Sequence, residues 1–107
     1  MARRNGKTTR CCQAVALYLA EDPTRRAVIV GPYVIRNKHF YQRLLFELGV
    51  DMHKVTFTST QTERLHGASA VFCDDRFDYP YAVWHELMNE VSMIEKSGGF
   101  VYWGEYK

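Results

Sequence analysis

No apolar run in the chain approaches the roughly 18–20 residues that a membrane span needs. The basic start leads into a helical pattern interrupted by Gln13, Tyr18 and Glu21, unlike the apolar core and cleavage site of a secretory signal. Cysteine is scarce, with only Cys11, Cys12 and Cys73. Neighbouring cysteines rarely bridge each other and an odd count leaves one unpaired, so reduced thiols are the simplest reading. This places the protein in a cytoplasm, that of an infected cell if the chain is viral. Repeats, low-complexity tracts and linkers are lacking as well, and residues 1–107 are expected to form one domain. A chain of that length buries roughly 60–70% of its unfolded surface. The histidines give no metal site: His39, His53 and His66 share no ligand spacing. The stretch from Trp84 to Asn89 is close to the zinc pattern His-Glu-x-x-His, but Asn89 holds the place of the second histidine, so His85 is expected on a helix surface. No nucleophile arrangement of serine or cysteine with histidine is recognisable from spacing. Acids are missing from the first ten residues, where Arg3, Arg4, Lys7 and Arg10 crowd. The net charge of +2 is too small to argue for nucleic acid. The local cluster reads either as a solvated end or as a contact for an anion or nucleic acid.

What is present alternates between two periodicities. From Lys7 to Ala20, Cys12, Val15, Ala16 and Leu19 fall at helical spacing, and Glu21-Asp22-Pro23 ends the helix. Ala27–Val30 is a β-branched run closed by Gly31-Pro32 and predicts a buried strand. From Lys38 to Leu48, Phe40, Leu44, Leu45 and Leu48 predict a second amphipathic helix, stopped by Gly49. Lys54–Thr58 alternates like a strand, and Ala70–Cys73 is another apolar run, ended by Asp74-Asp75. Trp84, Leu87, Met88, Val91 and Ile94 predict a helix from Tyr81 to Lys96. Ser97-Gly98-Gly99 is a turn and Phe100–Trp103 a last strand. Strands that read as continuous apolar runs are buried on both faces, and alternation with helices makes them parallel. The predicted fold is α/β, a three-layer sandwich with a mostly parallel sheet. Thr58-Ser59-Thr60-Gln61-Thr62 reads as a polar loop that faces either solvent or a phosphate-bearing ligand.

Two short motifs carry chemistry. Gly6-Lys7-Thr8 is the end of the phosphate-loop pattern, glycine, four residues, then Gly-Lys-Ser/Thr. In that pattern backbone N–H groups and a helix N-terminus surround the phosphates, the lysine neutralises them, and the hydroxyl ligates magnesium. Several cations at a helix N-terminus are unfavourable for the dipole unless an anion sits there too. The second motif is Asp74-Asp75 after an apolar strand. A carboxylate at the carboxyl tip of a parallel strand lies at the crevice where α/β proteins bind ligands. Asp74 is placed to hold magnesium through water, and Asp75 to orient or activate a water.

With these motifs the chain resembles the nucleotide-binding core of RecA-like P-loop ATPases, in particular the ATPase domains of large terminase subunits and phage helicases. The residues that carry the likeness are Arg3-Arg4-Asn5-Gly6-Lys7-Thr8-Thr9, similar to an arginine-bearing Walker A loop; Val28-Ile29-Val30-Gly31-Pro32; and Arg64 to Ser69 leading into Ala70–Asp75, similar to a Walker B strand. The resemblance implies ATP and Mg2+ as ligands and in-line hydrolysis of the γ-phosphate linked to DNA processing. It implies nucleotide contacts from Arg4, Asn5, Gly6, Lys7, Thr8 and Thr9, a metal held by Thr8 and Asp74, and catalytic roles for Lys7 and Asp75. Asp75 stands where the family has a longer glutamate. Met1 stands where the loop has its first glycine, and the strand that precedes such a loop has no counterpart, so the fold is expected to be truncated before the loop. In the RecA-like order that strand would neighbour Phe100–Trp103, which is then expected as an aromatic edge for a second copy or a protein partner. The other reading of these aromatics is that they pack under the third helix. The functional expectation is therefore twofold: an ATP-binding protein encoded by a phage or mobile element, or an inactive remnant that binds protein or nucleic acid.

Overall fold

The computed structural model describes residues 7–59, 61–65, 68–74 and 80–103, with Lys7, Thr62 and Glu63 described in backbone only. The elements are α1 (Lys7–Ala20), β1 (Ala27–Val30), α2 (Lys38–Glu47), β2 (Val55–Thr58), β3 (Ala70–Cys73), α3 (Tyr81–Lys96) and β4 (Phe100–Trp103). Short 3-10 turns, Met52–Lys54 and Thr62–Leu65, precede β2 and β3. The predicted order is thus observed. Lys54 closes a 3-10 turn instead of opening a strand, because Asp51 caps that turn through the His53 N–H.

The four strands form one all-parallel sheet in the order β2-β1-β3-β4. Ile29 lies level with Phe57 on one side and Phe72 on the other. Ala27, Ile29, Val55, Phe57, Ala70 and Phe72 face one layer, where Cys11, Cys12, Val15 and Leu19 of α1 meet Tyr41 and Leu45 of α2. Val28, Val30, Val71 and Cys73 face the other, against Leu87, Val91 and Ile94 of α3 and Leu65 of the second 3-10 turn. Helices on both faces explain why these strands read as continuous apolar runs. Among the described residues no helix is long and apolar enough to cross a membrane.

Local chemistry sets the ends of the elements. After α1, the Asp22 carboxylate accepts from the Thr24 N–H (2.9 Å) and hydroxyl (2.8 Å), and this turn feeds β1. Helices α2 and α3 both end on a glycine in the left-handed region, Gly49 (φ 82°) and Gly98 (φ 93°). In each case the next N–H returns to a carbonyl of the last turn, Val50 to Leu45 and Gly99 to Ile94.

The predicted buried face of α2 is corrected. Tyr41 and Leu45 are its buried residues, whereas Phe40 and Leu48 are exposed and Leu44 is half-buried. The helix is rotated so that the Tyr41 ring meets Phe57 and its hydroxyl reaches a buried acceptor. The side chains of β4 divide between the layers: Tyr102 packs with the α1 side and Val101 and Trp103 with the α3 side. Phe100, at the start of that edge strand, is 46% exposed.

Candidate functional site

In the sheet order, β1 lies between β2 and β3, so the chain steps outward from β1 to β2 and then returns past β1 to β3. A crevice outside the carboxyl ends of strands at such a reversal is where open α/β sheets hold ligands. Gly31 leaves β1 there and Asp74 leaves β3. The Asp74 N–H donates to the Val30 carbonyl at 2.7 Å, and the Gly31 N–H to the Thr58 carbonyl at 3.3 Å. A Cβ on Gly31 would lie 2.5 Å from the Asp74 carbonyl oxygen and 2.9 Å from a Val34 methyl. Only glycine allows the two chains to pass this closely.

The Asp74 side chain is the centre of this end. It is 2% exposed. Its Oδ2 accepts a 3.1 Å hydrogen bond from the Thr8 hydroxyl, 66 residues away, and a 2.6 Å bond from the Tyr41 hydroxyl, 33 residues away. The shorter distance is that of a strong O–H···O hydrogen bond. Two donors on one oxygen fill its two lone pairs. Oδ1 is buried and has no hydrogen-bond partner among the described residues. Buried polar atoms are nearly always paired, so an orphaned carboxylate oxygen at a crevice is an acceptor waiting for a cation, a donor or a water.

The described side chains that feel the Asp74 charge, Tyr41, Cys11 and Cys12, are neutral. Burial, and then the Asp74 charge, push the Tyr41 phenol well above its ordinary range, so it remains a donor. Burial and the same carboxylate raise the Cys11 thiol, and Cys12 is pushed up to about 12. All three cysteines are free and buried. Protonated buried thiols are poor nucleophiles, so these cysteines serve the core.

The structure thus brings together Thr8 and Asp74, two residues that the sequence marks for one metal. Thr9 is exposed on α1, and Lys7 opens that helix, whose first turn contains no acid. Arg3, Arg4, Asn5, Gly6 and Asp75 lie outside the described residues. Tyr41 was missed by sequence reasoning. The available signal is its place one helical turn before Leu45, on the face that a tyrosine can share with a core. His39, His53 and His85 are exposed, and His66 lies outside the described residues. Among the described residues no group of three or more His, Cys, Asp and Glu side chains is arranged to hold a metal ion. Two hydroxyls of the polar loop serve the fold: Thr58 is bonded to the backbone of Gln61 and Ser59 accepts from the Ile35 N–H.

A cavity of about 790 Å³ lies elsewhere, at the amino end of the sheet, lined in part by Tyr18, Arg25, Ser69, Met93 and Phe100. Its polar groups are tied to protein: Tyr18 donates to Ser69 (3.4 Å), Ser69 to the Arg26 carbonyl (3.1 Å), and Arg25 to the Tyr18 carbonyl and to Glu21. That end offers a cavity and the other an unmet carboxylate oxygen. The orphaned carboxylate oxygen decides for the carboxyl end, since space without an unmet polar group specifies no ligand. No family model, curated protein or solved structure matches the chain.

Proposed function

We propose that the carboxyl end of the sheet binds a nucleoside triphosphate, ATP, together with Mg2+, and that the chain is a P-loop ATPase-like protein of a phage or mobile element, working in a reducing cytoplasm. The observation that carries this reading is the 3.1 Å hydrogen bond from Thr8 to Asp74. It joins the hydroxyl of Gly6-Lys7-Thr8 to the carboxylate at a strand tip, which is the pairing that magnesium ligation by these two motifs requires.

The residues fit a magnesium ion. Mg2+ keeps several waters and takes only one or two protein ligands besides phosphate oxygens, so one hydroxyl and one carboxylate are enough. Thr8 and Asp74 would hold it, with the unpartnered Oδ1 as the open acceptor. Bound there, the ion would neutralise charge between the β- and γ-phosphates. Lys7 would add a second positive charge beside the N-terminus of α1, whose dipole favours phosphate. Arg4, Asn5, Gly6 and Thr9 are the further nucleotide contacts of the pattern, and Asp75 is the residue proposed to orient the attacking water.

Thermal unfolding with and without Mg-ATP tests the reading. Ligand at about five times its Kd adds about 1 kcal/mol of stability, which is about 4–8 °C for a domain of this size. The wild type is expected to gain such a shift and Lys7→Ala to lose it. No shift of the wild type at millimolar Mg-ATP overturns nucleotide binding.

The position of β4 at the sheet edge, with Phe100 46% exposed, favours the second reading, a protein- or nucleic-acid-binding module. It predicts edge pairing in place of a nucleotide effect. Light scattering that gives a monomer at all concentrations removes its homo-oligomeric form.

A further inference from the structure

Tyr41 belongs to neither motif, yet it makes the shortest bond at the site. Its ring is 5% exposed and held edge-on by Phe57, with ring centroids 6.2 Å apart. Leu45, one turn further along α2, is fully buried in the same layer. The hydroxyl is therefore delivered by a packed helix and sheet, with little freedom to follow the carboxylate. It donates to Oδ2 at 2.6 Å, whereas Oδ1 has no partner among the described residues. The two oxygens of Asp74 are thus unequal before any ligand arrives.

That inequality has a consequence for cations. If Thr8 turns from Asp74 to an ion, it frees one lone pair of Oδ2, while Tyr41 keeps the other and pins that oxygen in place. A carboxylate that grips an ion with both oxygens must swing both onto it, which the Tyr41 bond opposes. Ca2+ accepts bidentate carboxylates at 2.3–2.6 Å, roughly, in flexible geometry, whereas Mg2+ demands near-octahedral geometry at about 2.0–2.1 Å. Resting on the magnesium reading above, we propose that Tyr41 is a positioning residue that restricts Asp74 to one ligating oxygen, Oδ1, and thereby selects Mg2+ or Mn2+ over Ca2+. Partners that orient a metal ligand from behind commonly change metal affinity by about 10–100-fold when removed.

The test is a titration of the nucleotide-free chain with Mn2+, following free Mn2+ by electron paramagnetic resonance, and then competition with Ca2+. The wild type is expected to bind Mn2+ and Asp74→Asn to lose that binding. Tyr41→Phe, which keeps the ring, is expected to weaken Mn2+ by about tenfold or more and to raise the affinity of Ca2+ relative to Mn2+. A folded Tyr41→Phe with the wild-type ratio of Ca2+ to Mn2+ affinity overturns the role of Tyr41 and leaves the metal site standing. Failure of the wild type to bind Mn2+, or undiminished binding by Asp74→Asn, overturns the metal site and this inference with it. Should Tyr41→Phe not fold, infrared spectra of the wild type with Mg2+, minus those of Asp74→Asn, decide. Wide separation of the antisymmetric and symmetric carboxylate stretches is expected for one-oxygen ligation; a narrow separation overturns it.

Discussion

The two ends of the parallel sheet handle polar side chains in opposite ways. At the amino end, hydroxyls and cations tie off backbone: Arg26 donates to the His53 carbonyl (3.0 Å), Lys54 to that of Pro23 (2.7 Å) and Ser69 to that of Arg26 (3.1 Å). These bonds are exposed and close the loops that feed the strands. At the carboxyl end, two side chains, from α1 and α2, converge on one buried carboxylate at the tip of β3, whose other oxygen has no partner among the described residues. Exposed bonds to backbone serve architecture and contribute little each, whereas a buried, incompletely paired charge is tolerated at a cost that structure alone does not reward. The difference separates an end whose polar side chains tie off backbone from an end that encloses an incompletely paired carboxylate.

Substitutions that strike each end in turn test this division. The largest effect is expected for Phe72→Ala. Phe72, the third residue of β3, is fully buried, and its ring lies 5.8 Å from Tyr18, 5.7 Å from Phe100 and 5.8 Å from Tyr102, so it anchors an aromatic array that reaches Tyr18 and Phe100 at the amino end. Truncating a phenylalanine in such a core costs about 3–5 kcal/mol, to be read from urea unfolding. A loss below about 1 kcal/mol, the range of surface changes, would show that this array is not structural. Gly31→Ala comes next, at the carboxyl end. The added methyl meets the Asp74 carbonyl oxygen at 2.5 Å, and forced overpacking costs about 1–3 kcal/mol. Because the backbone that must shift carries Asp74, the Mg-ATP thermal shift should vanish with it, whereas Phe72→Ala should keep a shift on whatever fraction folds.

Most of the architecture was legible from the chain, for physical reasons that can be named. Strands β1 and β3 are covered on both faces, so every residue is apolar and their limits coincide with Arg26 and Gly31, and with Ser69 and Asp74. Gly49 and Gly98 mark helix ends because both adopt positive φ. The pairing of Thr8 with Asp74 was legible through two motifs that share one chemistry. The buried face of α2 was not, since Tyr41 is half polar by composition and Phe40 and Leu48 look like better core residues. What places Tyr41 inside is an acceptor 33 residues away, and no local periodicity contains such a contact. The orphaned Oδ1 was equally hidden, because satisfaction of a carboxylate depends on three elements meeting in space.

The smallest expected effect is an acid one, and its alkaline counterpart separates the two ends by pH. At the amino end Asp22 and Asp51 both lie below the ordinary aspartate range, Asp22 through the Thr24 N–H and Asp51 through that of His53. A carboxylate whose folded pKa is lowered contributes stability that is present above its unfolded value, about 3.9, and is lost as pH falls through the folded one. Both side chains are solvent-accessible, so the acid loss should be slight, and Asp22→Asn with Asp51→Asn should flatten it. At the carboxyl end the sign reverses. Burial raises the Cys12 thiol to about 12, with the Asp74 charge adding to it. A group whose folded pKa is raised contributes stability that is complete below its unfolded value, about 8.5 for a thiol, and declines as pH rises towards the folded one. Urea midpoints measured from pH 8 to pH 11 should therefore fall in the wild type and fall less steeply in Cys12→Ala, whatever the starting stability of that variant. Equal alkaline slopes would mean that the thiol next to the Asp74 charge is not buried as described, and the contrast between a satisfied amino end and a charged, enclosed carboxyl end would lose its support.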